Sequence, residues 1–141
     1  MEQTPAEIDP PLLLVVEDMA DARELLLDIL VQENYRVVAA ENGLDAADTA
    51  VKLRPAAIVM DLSLPLLGGI EAAMLLKVDP RTRKIPLIAL TAHGDRLSEA
   101  RAAGFDAFLT KPCPSDQLLA TLRKVLGIAP STRFRTIHGD D

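Results

Sequence analysis

Five residues with chemically useful side chains stand at or just past the ends of short apolar runs. Glu17 and Asp18 follow Leu12 to Val16 (LLLVV), and Asp61 follows Ala56 to Met60 (AAIVM). Thr91 follows Pro86 to Leu90, and Lys111 comes just after Phe105 to Leu109. Three carboxylates with no His or Cys beside them suit a hard, oxygen-preferring cation such as Mg²⁺, which takes one or two carboxylates and keeps waters. A carboxylate can also attack a phosphoryl group and form an acyl phosphate. That transfer is mostly positioning and charge neutralisation, for which a cation, a hydroxyl donor and an ammonium are the needed parts. Taken singly, each residue has a plainer reading. A lone Asp or Glu at a strand end is usually a solvated loop residue or a helix cap, Thr91 a cap, and Lys111 a surface cation. Their shared position is what argues for more.

That shared position depends on the elements around them. Apolar runs without polar alternation belong to strands covered on both faces, and here they alternate with segments of helical period. Asp21 to Asn34 places Ala22, Leu25, Leu26, Ile29 and Leu30 on one stripe, and Asn42 to Leu53 does the same with Leu44, Ala47 and Val51. Tyr35 to Ala39 is a weaker second strand, and Glu41 and Asn42 follow it. Helices are expected over Ile70 to Val78, over Asp95 to Ala103 with Gly104 ending it, and over a last segment carrying Leu118, Leu119, Leu122, Val125 and Leu126 up to Gly127. Five strands alternating with five helices describe an α/β fold, a doubly wound five-stranded parallel sheet. In such sheets ligands bind outside the carboxyl ends of the strands, which is the edge all five residues share.

Composition narrows the field. The 141 residues fit one domain of about 100–200 residues, and 49% hydrophobic residues suffice for a core. Fifteen Lys and Arg against twenty-one Asp and Glu give a net charge of −6, which speaks against a nucleic-acid binder or a membrane-surface anchor. The single Cys113 excludes an internal disulfide and fits a reducing compartment. Neither a secretory signal nor an apolar run of about 18 residues is present, so a cytoplasmic protein is expected. Residues 1–11 and 128–141 lack periodicity and are expected to be flexible extensions around a domain at 12–127.

The segments VVEDM at 15–19, VMDLSLPLLGG at 59–69, LTAHG at 90–94 and FLTKP at 108–112 resemble, in combination, the receiver (phosphoacceptor) domain of two-component response regulators. The resemblance runs from Leu12 to Gly127. It implies the flavodoxin-like strand order 2-1-3-4-5, which sets strands one and three side by side. It further implies that Asp61 is the phosphoacceptor, and that Glu17, Asp18, Asp61 and the backbone carbonyl of Ser63 hold Mg²⁺, with Mn²⁺ able to stand in. Asp18 would be the direct ligand of the acidic pair and Glu17 would act through water. Thr91 would close onto the phosphoryl oxygens, Lys111 would pair with acceptor and phosphoryl group, and Phe108 would be the aromatic that turns inward with Thr91. Lys111-Pro112 matches a peptide bond that is often cis in the family. Ser63 and His93 match positions that tune acyl-phosphate lifetime.

The family's implied partners are a histidine kinase or a histidine phosphotransfer protein, and a downstream protein read through the 95–127 face. The implied activity is a phosphorylation-dependent switch, with Mg²⁺-dependent phosphorylation and dephosphorylation of itself and no other enzyme activity. Gly68 stands where family members often carry an acidic residue, and Leu64 and Leu67 where Met is common. These departures bear on the start of the third helix. A haloacid-dehalogenase-type phosphatase would need a second Asp two residues after Asp61, and Ser63 is there. A phosphorylation-independent pseudo-receiver remains the alternative, against which the full set of five residues speaks. With no room after Gly127 for a DNA-binding or catalytic output domain, a single-domain regulator, or a part of a longer hybrid protein, is expected.

Overall fold

The computed structural model describes residues 10–92 and 96–128. His93, the expected helix start at Asp95 and most of both expected extensions lie outside the described residues. The chain runs β1 (Leu12–Val16), α1 (Ala20–Gln32), β2 (Arg36–Ala40), α2 (Gly43–Leu53), β3 (Ala57–Asp61), α3 (Gly69–Val78), β4 (Leu87–Thr91), α4 (Leu97–Ala103), β5 (Ala107–Thr110) and α5 (Ser115–Leu126). The five strands form one parallel sheet in the order β2-β1-β3-β4-β5, as expected.

The two-residue period of the strands divides the core into two layers. Leu14, Val16, Ile58, Met60, Leu87 and Ala89 face one side, where α2, α3 and α4 pack. Leu13, Val15, Ala57, Val59, Ile88 and Leu90 face the other, under α1 and α5. Both faces are therefore covered, which is why the runs show no polar alternation.

Local chemistry sets the ends. Asn42 caps α2, its side chain accepting from the Asp45 amide at 2.8 Å. Asp79 precedes Pro80, which disfavours helical geometry there and closes α3. Gly104 and Gly127 end α4 and α5 in the left-handed conformation. At the start of α3, a Cβ on Gly69 would lie 2.5 Å from the Asp61 carbonyl oxygen. Only glycine lets α3 begin this close to the end of β3.

Several expected boundaries shift. Asp61 and Thr91 are the last residues of β3 and β4 rather than the first residues of loops. β5 begins at Ala107 instead of Phe105, because the Phe105 amide donates to Ala100 O and ties that residue to the end of α4. α3 is apolar nearly all round. Ile70, Ala72, Ala73 and Leu76 are buried, while Met74, Leu75 and Val78 are exposed.

Candidate functional site

The sheet ladder continues past the strand ends and carries the site residues with it. The Glu17 amide donates to Ala40 O at 3.1 Å, Leu62 to Leu90 O at 3.0 Å, and Lys111 to Thr91 O at 2.8 Å. Val16 lies opposite Met60 and Asp61 opposite Leu90. Glu17, Asp61 and Thr91 are consequently set on three adjacent strands at one edge, on backbone that has little freedom to move.

One carboxylate oxygen from each of Glu17, Asp18 and Asp61 lies within 4.8 Å of the other two. Glu17 is buried, Asp61 and Thr91 are nearly so, and Asp18 is exposed. Lys111 reaches in from the end of β5. Its Nζ donates to Glu17 Oε1 at 2.8 Å and to Asp61 Oδ2 at 3.0 Å. Asp61 Oδ1 accepts from the Ser63 amide at 3.0 Å, so this carboxylate is held at both oxygens. Glu17 Oε2 accepts from the Met19 amide.

The ionisation of the group follows from this arrangement. Burial pushes the Glu17 carboxyl above its ordinary 4.5, against the hydrogen bonds from Lys111 and Met19 that favour its charge. Burial also works against the Lys111 cation, but its bonds to Glu17 and Asp61 outweigh that and raise it above 10.5. Among the described residues three carboxylates face one ammonium, so the edge is electronegative and its clustered candidate ligands are oxygen donors. Together with the exposure of Asp18, which leaves room for water ligands, this donor set fits Mg²⁺.

The expected cis Lys111-Pro112 bond is present. Phe108 is partly buried and aligned with Ala89 across β4 and β5. Ser63 contributes its amide to the Asp61 carboxylate. Two supporting residues had no motif to announce them. Arg23, from α1, donates to the carbonyls of Glu17 at 3.1 Å and Asp18 at 3.4 Å and pairs with Glu41 at 3.7 Å, bracing the loop between β1 and α1. Arg101, from α4, places its guanidinium 5.0 Å from the centroid of the Phe108 ring. Helical spacing alone does not reveal either contact, since both cross between elements.

Comparisons with known proteins place this fold in a family. The family model described as the response regulator receiver domain matches residues 13–123. The polar-differentiation response regulator DivK of Brucella anthropi is 34% identical over 122 residues, covering 85% of this chain and 99% of the relative. The receiver domain of the sensor histidine kinase PA1611 from Pseudomonas aeruginosa, solved with a magnesium ion coordinated in its active-site cleft, superposes with a TM-score of 0.80 at 30% identity. That match covers 84% of this chain and 98% of the other. Chemotaxis response regulator CheY4 of Vibrio cholerae gives 0.78 at 27% identity over 82% and 98% of the two chains. Among the described residues no helix is long and apolar enough to cross a membrane. Sheet order, acidic edge and family match converge, and the chain belongs to the response regulator receiver domain family of two-component systems.

Proposed function

We propose that this chain is a phosphorylation-dependent switch whose acceptor is Asp61. The observation that carries the reading is the position of Asp61: one oxygen is held by the Ser63 amide, the other by Lys111, and Glu17 and Asp18 stand within reach of a shared cation. An Asp61 oxygen attacks the phosphorus of a phosphohistidine. The N–P bond breaks, the O–P bond forms, and the imidazole leaves. Lys111 turns its ammonium from carboxylate to phosphoryl oxygens, and Thr91, at the end of the neighbouring strand, donates its hydroxyl to them.

Glu17, Asp18, Asp61 and the Ser63 carbonyl would hold Mg²⁺. Bound there, the ion offsets the negative charge of the incoming phosphoryl group. Asp18, exposed, would bind the ion directly, and Glu17, buried, would do so through water. The phosphoryl group adds negative charge and acceptor oxygens at this edge and draws Thr91 and Phe108 inward, altering the face made by α4, β5 and α5. In this reading the phosphodonor is a histidine kinase or a histidine phosphotransfer protein, the target is a protein that binds that face, and both meet the chain in the cytoplasm. Covalent turnover is confined to the chain's own aspartyl phosphate.

Intact mass after incubation with Mg²⁺ and a small-molecule phosphodonor tests the proposal. One added phosphoryl group is expected, absent when the metal is chelated. If no adduct forms and beryllofluoride with Mg²⁺ also fails to bind, the pseudo-receiver replaces this reading.

A further inference from the structure

α4 is short and anchored by small side chains. It spans only Leu97–Ala103, and its buried side chains are two alanines, Ala100 and Ala103. Little apolar area therefore fixes it to the sheet. Its Arg96–Glu99 ion pair links the N-cap to the first turn and is solvent-exposed. Arg101 differs, because its guanidinium lies over the ring of Phe108 on β5, 5.0 Å from the centroid, within the range of a cation–π contact.

Phe108 is partly buried, packed against the core on one side and covered by the Arg101 guanidinium on the other. It aligns with Ala89 on β4, and register partners in a parallel pair point to the same face. Thr91 lies two residues further along β4, so it shares that face, close to the acidic edge. The ring's neighbour in register is thus a small side chain, and α4 above it contributes alanines. On the outer side the restraint is Arg101. Turning the ring inward removes it from the guanidinium and forfeits the stacking.

We propose that Arg101 is a positioning residue that holds Phe108 in its outward position and thereby opposes the phosphorylated arrangement of the α4–β5 face. This rests on the reading of Asp61, Thr91 and Phe108 as the switch. A ligand that favours the inward state must overcome the stacking, so its affinity is lowered by the same factor.

The test is the affinity of the whole chain for beryllofluoride in the presence of Mg²⁺, titrated by NMR for wild type, Arg101→Met and Arg101→Lys. Arg101→Met keeps the alkyl stem and removes the planar cation. It is expected to bind beryllofluoride about two- to fivefold more tightly, the factor that an exposed cation–π contact is worth. Arg101→Lys, which retains a cation, is expected to fall between the two. A purely structural role would lower affinity along with the melting temperature, so tighter binding with an unchanged or lower melting temperature identifies the restraint. In a Phe108→Leu background the Arg101→Met change is expected to have no effect. Equal or weaker binding by Arg101→Met overturns the proposal while leaving the phosphoacceptor reading intact. Failure of the wild type to bind beryllofluoride overturns both.

Discussion

Asp61→Asn is expected to abolish the phosphoryl adduct completely while leaving the chain folded. The side chain keeps its shape, and its carbonyl oxygen can still accept from the Ser63 amide. Lys111 retains its 2.8 Å contact with buried Glu17, so the ammonium does not lose its main anchor. What disappears is the nucleophile, because an amide oxygen has no negative charge to form the acyl phosphate. The amide nitrogen that replaces Oδ2 cannot accept from Lys111 Nζ, so that 3.0 Å hydrogen bond is lost, and relief of the repulsion between Asp61 and Glu17 opposes the loss. Unfolding stability is expected to move by no more than about 1–2 kcal/mol. Intact mass and a peptide map check the result together. An adduct that persists in Asp61→Asn and maps to another carboxylate would unseat Asp61 as acceptor.

Lys111→Met is expected to cost the most stability of any single change at this edge. Glu17 is wholly buried, and Lys111 Nζ is the cation on its Oε1. Removing one partner of a buried pair typically costs about 3–5 kcal/mol. The Lys111 side chain is 27% exposed, so water offsets part of this and about 2–4 kcal/mol is the expectation at neutral pH. The pH dependence has a definite sign. Glu17 titrates above 4.5 in the folded protein because burial disfavours its charge, and loss of Lys111 raises it further. Well below 4.5 the carboxyl is neutral in both folded and unfolded states, and the part of the penalty due to its charge vanishes. As pH rises through the raised value the penalty grows, then levels off once Glu17 is fully charged. Denaturant unfolding across that range checks this, and Lys111→Met/Glu17→Gln is expected to recover most of the loss. If the double variant is no more stable than Lys111→Met, the buried charge is not the cause.

Much of this architecture was legible from the run of residues. LLLVV and AAIVM announce buried strands because nothing polar interrupts them, and the strand order followed from the family resemblance. The boundaries were less legible, for a physical reason. Asp61 and Thr91 read as loop residues by type, yet their backbones remain in the ladder, and the ladder is indifferent to the side chain. Phe105 reads as strand by type, but its amide goes to Ala100 O and makes it the end of a helix. The burial of Glu17 was not visible either. A charged residue after a strand is normally solvated, and only the arrival of Lys111, ninety-four positions along the chain, makes the buried position tenable. Arg23 and Arg101 share that property: their partners are fixed by how elements pack, which single-sequence periodicity does not encode.

The outer face of α3 has a colloidal consequence. Met74, Leu75 and Val78 leave it bare and apolar, and a helix of that kind adheres to its like when nothing holds copies apart. At neutral pH each chain carries six net negative charges, and mutual repulsion supplies the separation. Near pH 4.9 the net charge vanishes, and concentrated salt screens whatever remains. Solutions of this protein should therefore cloud most readily around that pH, reversibly and without unfolding.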